Sequence, residues 1–399
     1  MTPTVVELSE YDEREVMLGA AVERRLRLAA LDRLTVSPVN EGAFRIKAGS
    51  HIGSITTPGI TVIIRPKVET STVLYLLEPD GVALRLDAAD SRLLDSQDLA
   101  PAVATLFARQ LERLVGRGVV HGYHLEEEEL SAVRGRIDVA RQLRRGGIAL
   151  PIPCRYDDYV ADTRLNRRVR GAVLRLLRLP GVVATTAHRL RRLLAAFDQV
   201  GDPTAADLVL PSRFSRLDEH YRPIDALATL VLRHASVDTR AGSTAVSAFT
   251  VDMNVVFESF VAVRLRRLLT GRLRVDGQRS HAFDRAGVAR IRPDLMFSAP
   301  SGRLRYVADT KYKVTATGLG RDTDYYQLLA YTAALELDEG LLIYAAGQET
   351  MPREIVVGSR GTRLHSYSLS LDGGPTDVDR RMRTLADLIA NRAAQQPVQ

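Results

Sequence analysis

Two short stretches decide how this chain is read: Ile291-Arg292-Pro293-Asp294-Leu295-Met296-Phe297 and, fourteen residues after Asp294, Ala308-Asp309-Thr310-Lys311-Tyr312-Lys313. Apolar residues flank Asp294 and precede Asp309, so both stretches read as strands entering a core. Side chains along a strand alternate between its faces, which puts Asp309 and Lys311 on one face, beside Asp294 if the two strands pair. Two carboxylates and one ammonium then converge. Hard oxygen donors of this kind suit Mg2+, with Mn2+ as the alternative, because such an ion needs only one or two protein carboxylates alongside water and substrate phosphate.

Around these stretches the pattern gives helix, three strands, helix, strand. Asp252 is placed to cap a helix running to about Leu269. Extended segments follow near Arg274 to Phe283, Ala289 to Phe297 and Leu304 to Tyr312, then a helix from about Thr323 to Leu337 and a strand from Leu341 to Tyr344. Glu258 lies in the first of these helices. Gln327 and Tyr331 lie in the second, spaced i and i+4 and therefore on one helical face. Lys313 shares the face of Lys311 if the strand continues that far, which would allow it a phosphate contact.

This order and these residues resemble the PD-(D/E)xK nuclease superfamily, with its αβββαβ core, and the Gln327/Tyr331 pair resembles the Gln-x-x-x-Tyr motif of its RecB-like branch. The likeness extends further. Val251 to Glu258, Ala308 to Lys313, Asp324-Tyr325-Tyr326-Gln327-Leu328-Leu329-Ala330-Tyr331 and Gly340-Leu341-Leu342-Ile343-Tyr344 together resemble the McrC family, the nuclease subunits of McrBC modification-dependent restriction systems. Gly53-Ser54-Ile55 with Ile63-Ile64-Arg65-Pro66-Lys67, Arg134-Gly135-Arg136-Ile137-Asp138 and Asp162-Thr163-Arg164-Leu165-Asn166-Arg167 are similar to further landmarks of that family.

The resemblance implies a Mg2+-dependent endodeoxyribonuclease acting on double-stranded modified DNA in complex with an McrB-like AAA+ GTPase hexamer. It implies Asp294, Asp309 and Glu258 as metal ligands, Lys311 as the group orienting the nucleophile, Gln327 as a positioning residue and Tyr331 as site support. It also implies three regions: 1–150, a β-rich domain docking on the AAA+ partner and stimulating its GTPase; 151–240, a helical arginine-rich connection; and 241–399, the endonuclease domain. The resemblance also places GTP on the partner, and the sequence is compatible: a phosphate-binding loop of the Walker type needs Gly-Lys, and none of the four lysines (Lys47, Lys67, Lys311, Lys313) follows a glycine. Two alternatives stay open: a stand-alone RecB-like or CRISPR-associated nuclease, many of which use four cysteines for an iron-sulfur cluster, and a non-catalytic adaptor that activates an AAA+ ring.

Composition bounds these readings. With 399 residues, 45% hydrophobic and 26% charged, the chain is long enough for two or three folded domains of mixed α+β type. A single cysteine, Cys154, excludes a disulfide framework and any four-cysteine metal site within the chain. The absence of a long apolar run or an apolar leader points to a soluble, cytoplasmic protein. The net charge of +7 is compatible with a polyanionic partner.

Some segments carry blander expectations. Glu13 to Leu34 reads as helical, with β structure after it. Leu99 to Val115 reads as helix, Glu126 to Glu129 as a solvated turn, and the arginines of the helices within Asp162 to Leu179, Ala187 to Val200 and Pro223 to His234 as solvated faces. His121 and His124 read as structural or surface residues, and Cys154 as a small, partly buried one.

Overall fold

The computed structural model describes residues 3–77, 98–146, 150–210, 212, 214–238, 246–284, 286–312, 322–346, 353–358 and 361–395, in a mixed α+β arrangement. The chain forms two compact units, one made of residues 1–102 together with 238–399 and the other of residues 103–237. A break at 150/151 is therefore replaced by one at 102/103. The physical reason is strand pairing across residue 150, where Gly122–Leu130 runs antiparallel to Ile152–Val160.

In the first unit, strands Thr4–Ser9, Ile60–Arg65, His51–Thr57 and Val246–Asp252 lie side by side in that order, the first pair parallel and the others antiparallel. The helix expected from Glu13 starts later, at Ala20, and runs only to Ala30. Glu13–Met17 is instead a strand paired with Ala43–Ala48, which in turn pairs with Leu34–Asn40. Opposite charges favour that pairing, since Arg45 lies 2.6 Å from Glu15 and 3.7 Å from Glu13 across the strands. Leu26, Ile46, Ile55, Val62 and Ile64 close the core beneath these two sheets.

The C-terminal part of the same unit holds the helix Met253–Leu268, capped by the Asp252 side chain accepting from Asn254 N as its sequence suggests. Six strands follow in the order 274–276, 295–298, 304–311, 339–346, 362–370 and 353–357. Leu304–Lys311 is antiparallel to Leu295–Ser298 and parallel to Glu339–Ala346. The two extended segments expected before it are each broken: Arg274–Asp276 and His281–Ala282 replace one, Arg290–Ile291 and Leu295–Ser298 the other. Pro293 lacks the amide needed for a ladder bond, and its carbonyl accepts from Gln278 N at a residue with φ of +52°, so both segments bend at the same level.

The helix Asp322–Ala334 packs Leu328 and Tyr331 against Met296, Val307 and Leu342. Its close approach to the sheet depends on Gly340, where a Cβ would stand 2.8 Å from Leu328 Cδ1 and 2.9 Å from Thr332 Cγ2. The helices Met253–Leu268 and Pro375–Gln395 pack on each other and on Leu304–Lys311.

In the second unit, Glu126 to Glu129 lie inside the strand Gly122–Leu130, not in a turn. Arginines facing them explain the difference: Arg155 pairs with Glu127 at 3.0 Å, and Arg141 and Arg145 both pair with Glu129. The arginines of the helix Arg164–Leu176 are also less solvated than expected. Arg167 bonds Asp207 at 2.9 Å, and Arg168 is buried beside Asp225 at 3.2 Å, its guanidinium pKa lowered by burial. Charges used inside the unit in this way are not a phosphate-tracking surface. Cys154 is fully buried. Among the described residues no helix is long and apolar enough to cross a membrane.

Gly340→Val should lower stability by about 1–3 kcal/mol through overpacking beneath the Gln327 helix. Denaturant midpoints measured beside the wild type test this, and an unchanged midpoint would mean that the helix can move away freely.

Candidate functional site

Asp309 sits near the end of Leu304–Lys311, a strand buried over most of its length. The pairing Leu295↔Ala308 brings Asp294, the residue just before Leu295, alongside Asp309 and Thr310. Thr310 bridges them: its backbone N and its Oγ1 both donate to Asp294 Oδ2 at 2.8 Å. Lys311 Nζ faces Asp309 Oδ2 at 2.5 Å and donates to Gln327 Oε1 at 3.1 Å.

The helix continues the chain of contacts. Gln327 Nε2 donates to Tyr331 Oη at 2.5 Å, and Tyr331 Oη donates to the Arg292 carbonyl at 3.4 Å. Arg292 in turn holds Gln278, through Nε to its carbonyl at 3.0 Å and through Nη2 to its side-chain oxygen at 2.7 Å. Gln278 Nε2 then donates to Glu258 Oε1.

Asp294, Asp309, Lys311, Gln327 and Tyr331 thus meet in one network. Glu258 stands near enough to Asp294 for the two charges to repel, but its carboxylate is engaged by Gln278. Lys313 lies outside the described residues. Four participants are not singled out by the sequence pattern. Thr310 and Arg292 are hidden because each contributes partly through a main-chain group, and Gln278 because it lies in an irregular bend. Asp324, buried in the first turn of the Gln327 helix, accepts from Tyr344 Oη at 3.1 Å and adds negative charge near Lys311. The signal for it was present, as an acidic residue at a helix start.

Burial dominates the electrostatics. Asp309 is 1% exposed. Desolvation, reinforced by the charge of Asp294 and only partly offset by Lys311, raises its pKa to about 7. Glu258 is pushed up by burial and then by Asp294. Burial opposes the Lys311 ammonium, yet Asp309 and then Asp294 outweigh it and raise its pKa. Asp309 Oδ1 is buried with no hydrogen-bond partner among the described residues.

A buried carboxylate oxygen without a donor, next to a second carboxylate, suits a small divalent cation. Among the described residues no three Asp, Glu, His or Cys side chains meet as a ready-made ligand group. The expected ligands Asp294, Asp309 and Glu258 are therefore not gathered as one set: Asp294 lies beside Asp309, while Glu258 is held by Gln278.

Residues 46–345 match the family described as McrBC 5-methylcytosine restriction system component. The chain belongs to the McrBC family. Its fold resembles a chain in a half-complex refined from a tetradecameric assembly of Thermococcus gammatolerans McrB AAA+ hexamers with bound McrC. The two share 20% identity with a TM-score of 0.64, over 97% of this chain and 100% of that one. A second similar chain, from the cryo-EM structure of the T. gammatolerans McrBC complex, is 22% identical over 67% of this chain and 88% of its own, with a TM-score of 0.45. A search of curated proteins finds no match.

For this McrBC-family chain the raised Asp309 pKa has a thermodynamic sign. The folded state binds that proton more tightly than the unfolded state does, so stability falls as pH rises from about 4 to about 7 and stays lower above. Asp309→Asn should therefore be more stable than the wild type at pH 8 in EDTA, by on the order of 2–4 kcal/mol, with the gain gone at pH 4. Adding Mg2+ should raise the wild-type Tm and leave the Asn variant unmoved. Thermal melts across pH check both, and an Asn variant less stable at pH 8 would contradict the assignment.

Proposed function

We propose that this chain is the nuclease subunit of a modification-dependent two-component restriction system, a Mg2+-dependent endodeoxyribonuclease acting with an McrB-like AAA+ GTPase hexamer. The observation that carries the reading is the meeting of Asp294, Asp309, Lys311 and Gln327 around a buried, unpartnered carboxylate oxygen, in a chain of the McrBC family. The order of elements supports it: helix 253–268, strands to 311, helix 322–334 and strand 339–346 follow the αβββαβ order of PD-(D/E)xK nucleases.

Asp294 and Asp309 would hold the Mg2+, Mn2+ being the alternative, with Glu258 as an accessory acid once released from Gln278. When bound, the ion supplies charge neutralisation at the scissile phosphate and a more acidic water. The chain's own residues supply the rest. Thr310 fixes Asp294 Oδ2 through two donors, which holds that carboxylate beside Asp309. Lys311, tied to Gln327, presents its ammonium where it can orient an attacking water and offset charge developing on the phosphorane. Tyr331 fixes the Gln327 amide, and with it the direction from which Lys311 is held.

The solved T. gammatolerans assembly contains McrB AAA+ hexamers with bound McrC, and an equivalent hexamer is the partner proposed here. That partner would bind GTP and supply recognition of the modified base. The N-terminal β-rich module would dock on it and stimulate its GTPase.

Cleavage of modified double-stranded plasmid in Mg2+ and GTP, by the chain alone and with its McrB-like partner, tests the proposal. Cutting should need both proteins and GTP. Asp309→Ala and Lys311→Ala should each lower it by at least about 10²-fold while leaving the partner's GTPase stimulated. GTPase stimulation without any cutting by the wild type would favour a non-catalytic adaptor, and cutting by the chain alone a stand-alone nuclease.

A further inference from the structure

The residue that follows Lys311 is held more firmly than a strand end requires, and the groups holding it come from the far end of the sequence. Tyr312 is buried. Its hydroxyl donates to Glu10 Oε1 at 3.2 Å, its carbonyl accepts from Tyr11 Oη at 3.2 Å, and its ring lies 6.0 Å from that of Phe257, the neighbour of Glu258.

Glu10 is itself fixed. It is 0% exposed, directly follows the strand Thr4–Ser9, and donates its own amide to the Arg65 carbonyl at 3.2 Å. Its Oε1 also accepts the Lys67 amide at 3.2 Å. Tyr11 has φ of +61°, a left-handed backbone that is uncommon for a bulky residue, and its amide bonds the Gly49 carbonyl.

A second contact from the same module reaches the other side of the site. Ser50 Oγ donates to Asp252 Oδ1 at 2.7 Å and the Ser50 carbonyl accepts from Met253 N, so Ser50 braces the cap of the helix that bears Glu258. A buried carboxylate aimed at a tyrosine, a tyrosine in an uncommon backbone region and a braced helix cap all act on the two elements that carry Lys311 and Glu258. Packing alone does not call for a buried Glu10, since an apolar residue would fill the space without desolvating a carboxylate.

We propose that Glu10, Tyr11 and Tyr312 form a positioning clamp through which the N-terminal β module sets the placement of Lys311 against Asp309. The inference rests on the nuclease reading and adds to it a mechanical link between the N-terminal module and the catalytic strand. None of the three touches the reacting atoms; they act through Lys311.

The test uses the full chain assembled with its McrB-like partner and compares Tyr11→Phe, Glu10→Ala and Glu10→Gln. Tyr11→Phe removes one hydroxyl from a 43% exposed residue and should fold even if Glu10→Ala does not. Tyr11→Phe and Glu10→Ala should lower kcat about tenfold, as a small misplacement of a catalytic group does, with KM for DNA and GTPase stimulation at wild-type values. Glu10→Gln keeps the acceptor and should restore kcat.

A readout independent of cutting comes from the four lysines, which give four amide signals after selective 15N-lysine labelling. Tyr11→Phe should displace the Lys311 signal and leave that of Lys47 in place. The clamp is overturned if the Lys311 signal and kcat both stay at wild-type values in Tyr11→Phe, or if cutting and GTPase stimulation fall together. A wild-type complex that does not cut at all would sink the nuclease reading, and the Lys311 signal would then decide the clamp separately.

Discussion

Asp309 is an ionisable carboxyl almost completely withdrawn from water, and most of the C-terminal architecture follows from keeping it there. A lone buried carboxylate is costly enough that the group would rather stay protonated. Lys311 two residues along the same strand offsets part of that cost, and Asp294 across the pairing adds to it. The result is a centre with surplus negative charge and a carboxylate oxygen that has no donor among the described residues. Strand pairing on both sides, with Leu295–Ser298 and Glu339–Ala346, keeps the backbone from relaxing to expose it.

Lys311 must point inward against that same desolvation, and the Gln327 helix makes this possible. Gln327 accepts from the ammonium while Tyr331 receives the other end of the amide. The helix can reach only because Gly340 lets it lie close to the sheet. A glycine on one strand, an amide on one helix and a lysine on the next strand are therefore parts of a single constraint, although they are far apart in sequence.

The main elements of the site were legible in the sequence because they obey short periods. Asp309 and Lys311 share a face by strand alternation, Gln327 and Tyr331 by helical spacing, and Asp252 caps the helix it was expected to cap. What stayed hidden depends on main-chain geometry or on distant pairing. Thr310 contributes through its amide as much as through its hydroxyl, Arg292 through its carbonyl, and Gln278 from a bend created by Pro293. The strand character of Glu13–Met17 and of Glu126 to Glu129 was masked for another reason. Runs of charge look solvated until the arginines opposite them, Arg45, Arg141 and Arg155, are brought across by the fold.

The compact unit that holds this centre is discontinuous in sequence, since residues 1–102 fold together with 238–399. Val246–Asp252 explains how: it pairs with His51–Thr57 and leads directly into the helix that bears Glu258. The last strand before the helix that bears Glu258 is thus also a strand of the N-terminal sheet. That sheet is joined by backbone hydrogen bonds to the start of the Glu258 helix, and Glu10 and Tyr11 join it to the end of the Lys311 strand. A module bonded to both elements that flank a charged centre leaves neither of them held by local sequence alone, which is why residues so distant in sequence belong to one compact unit.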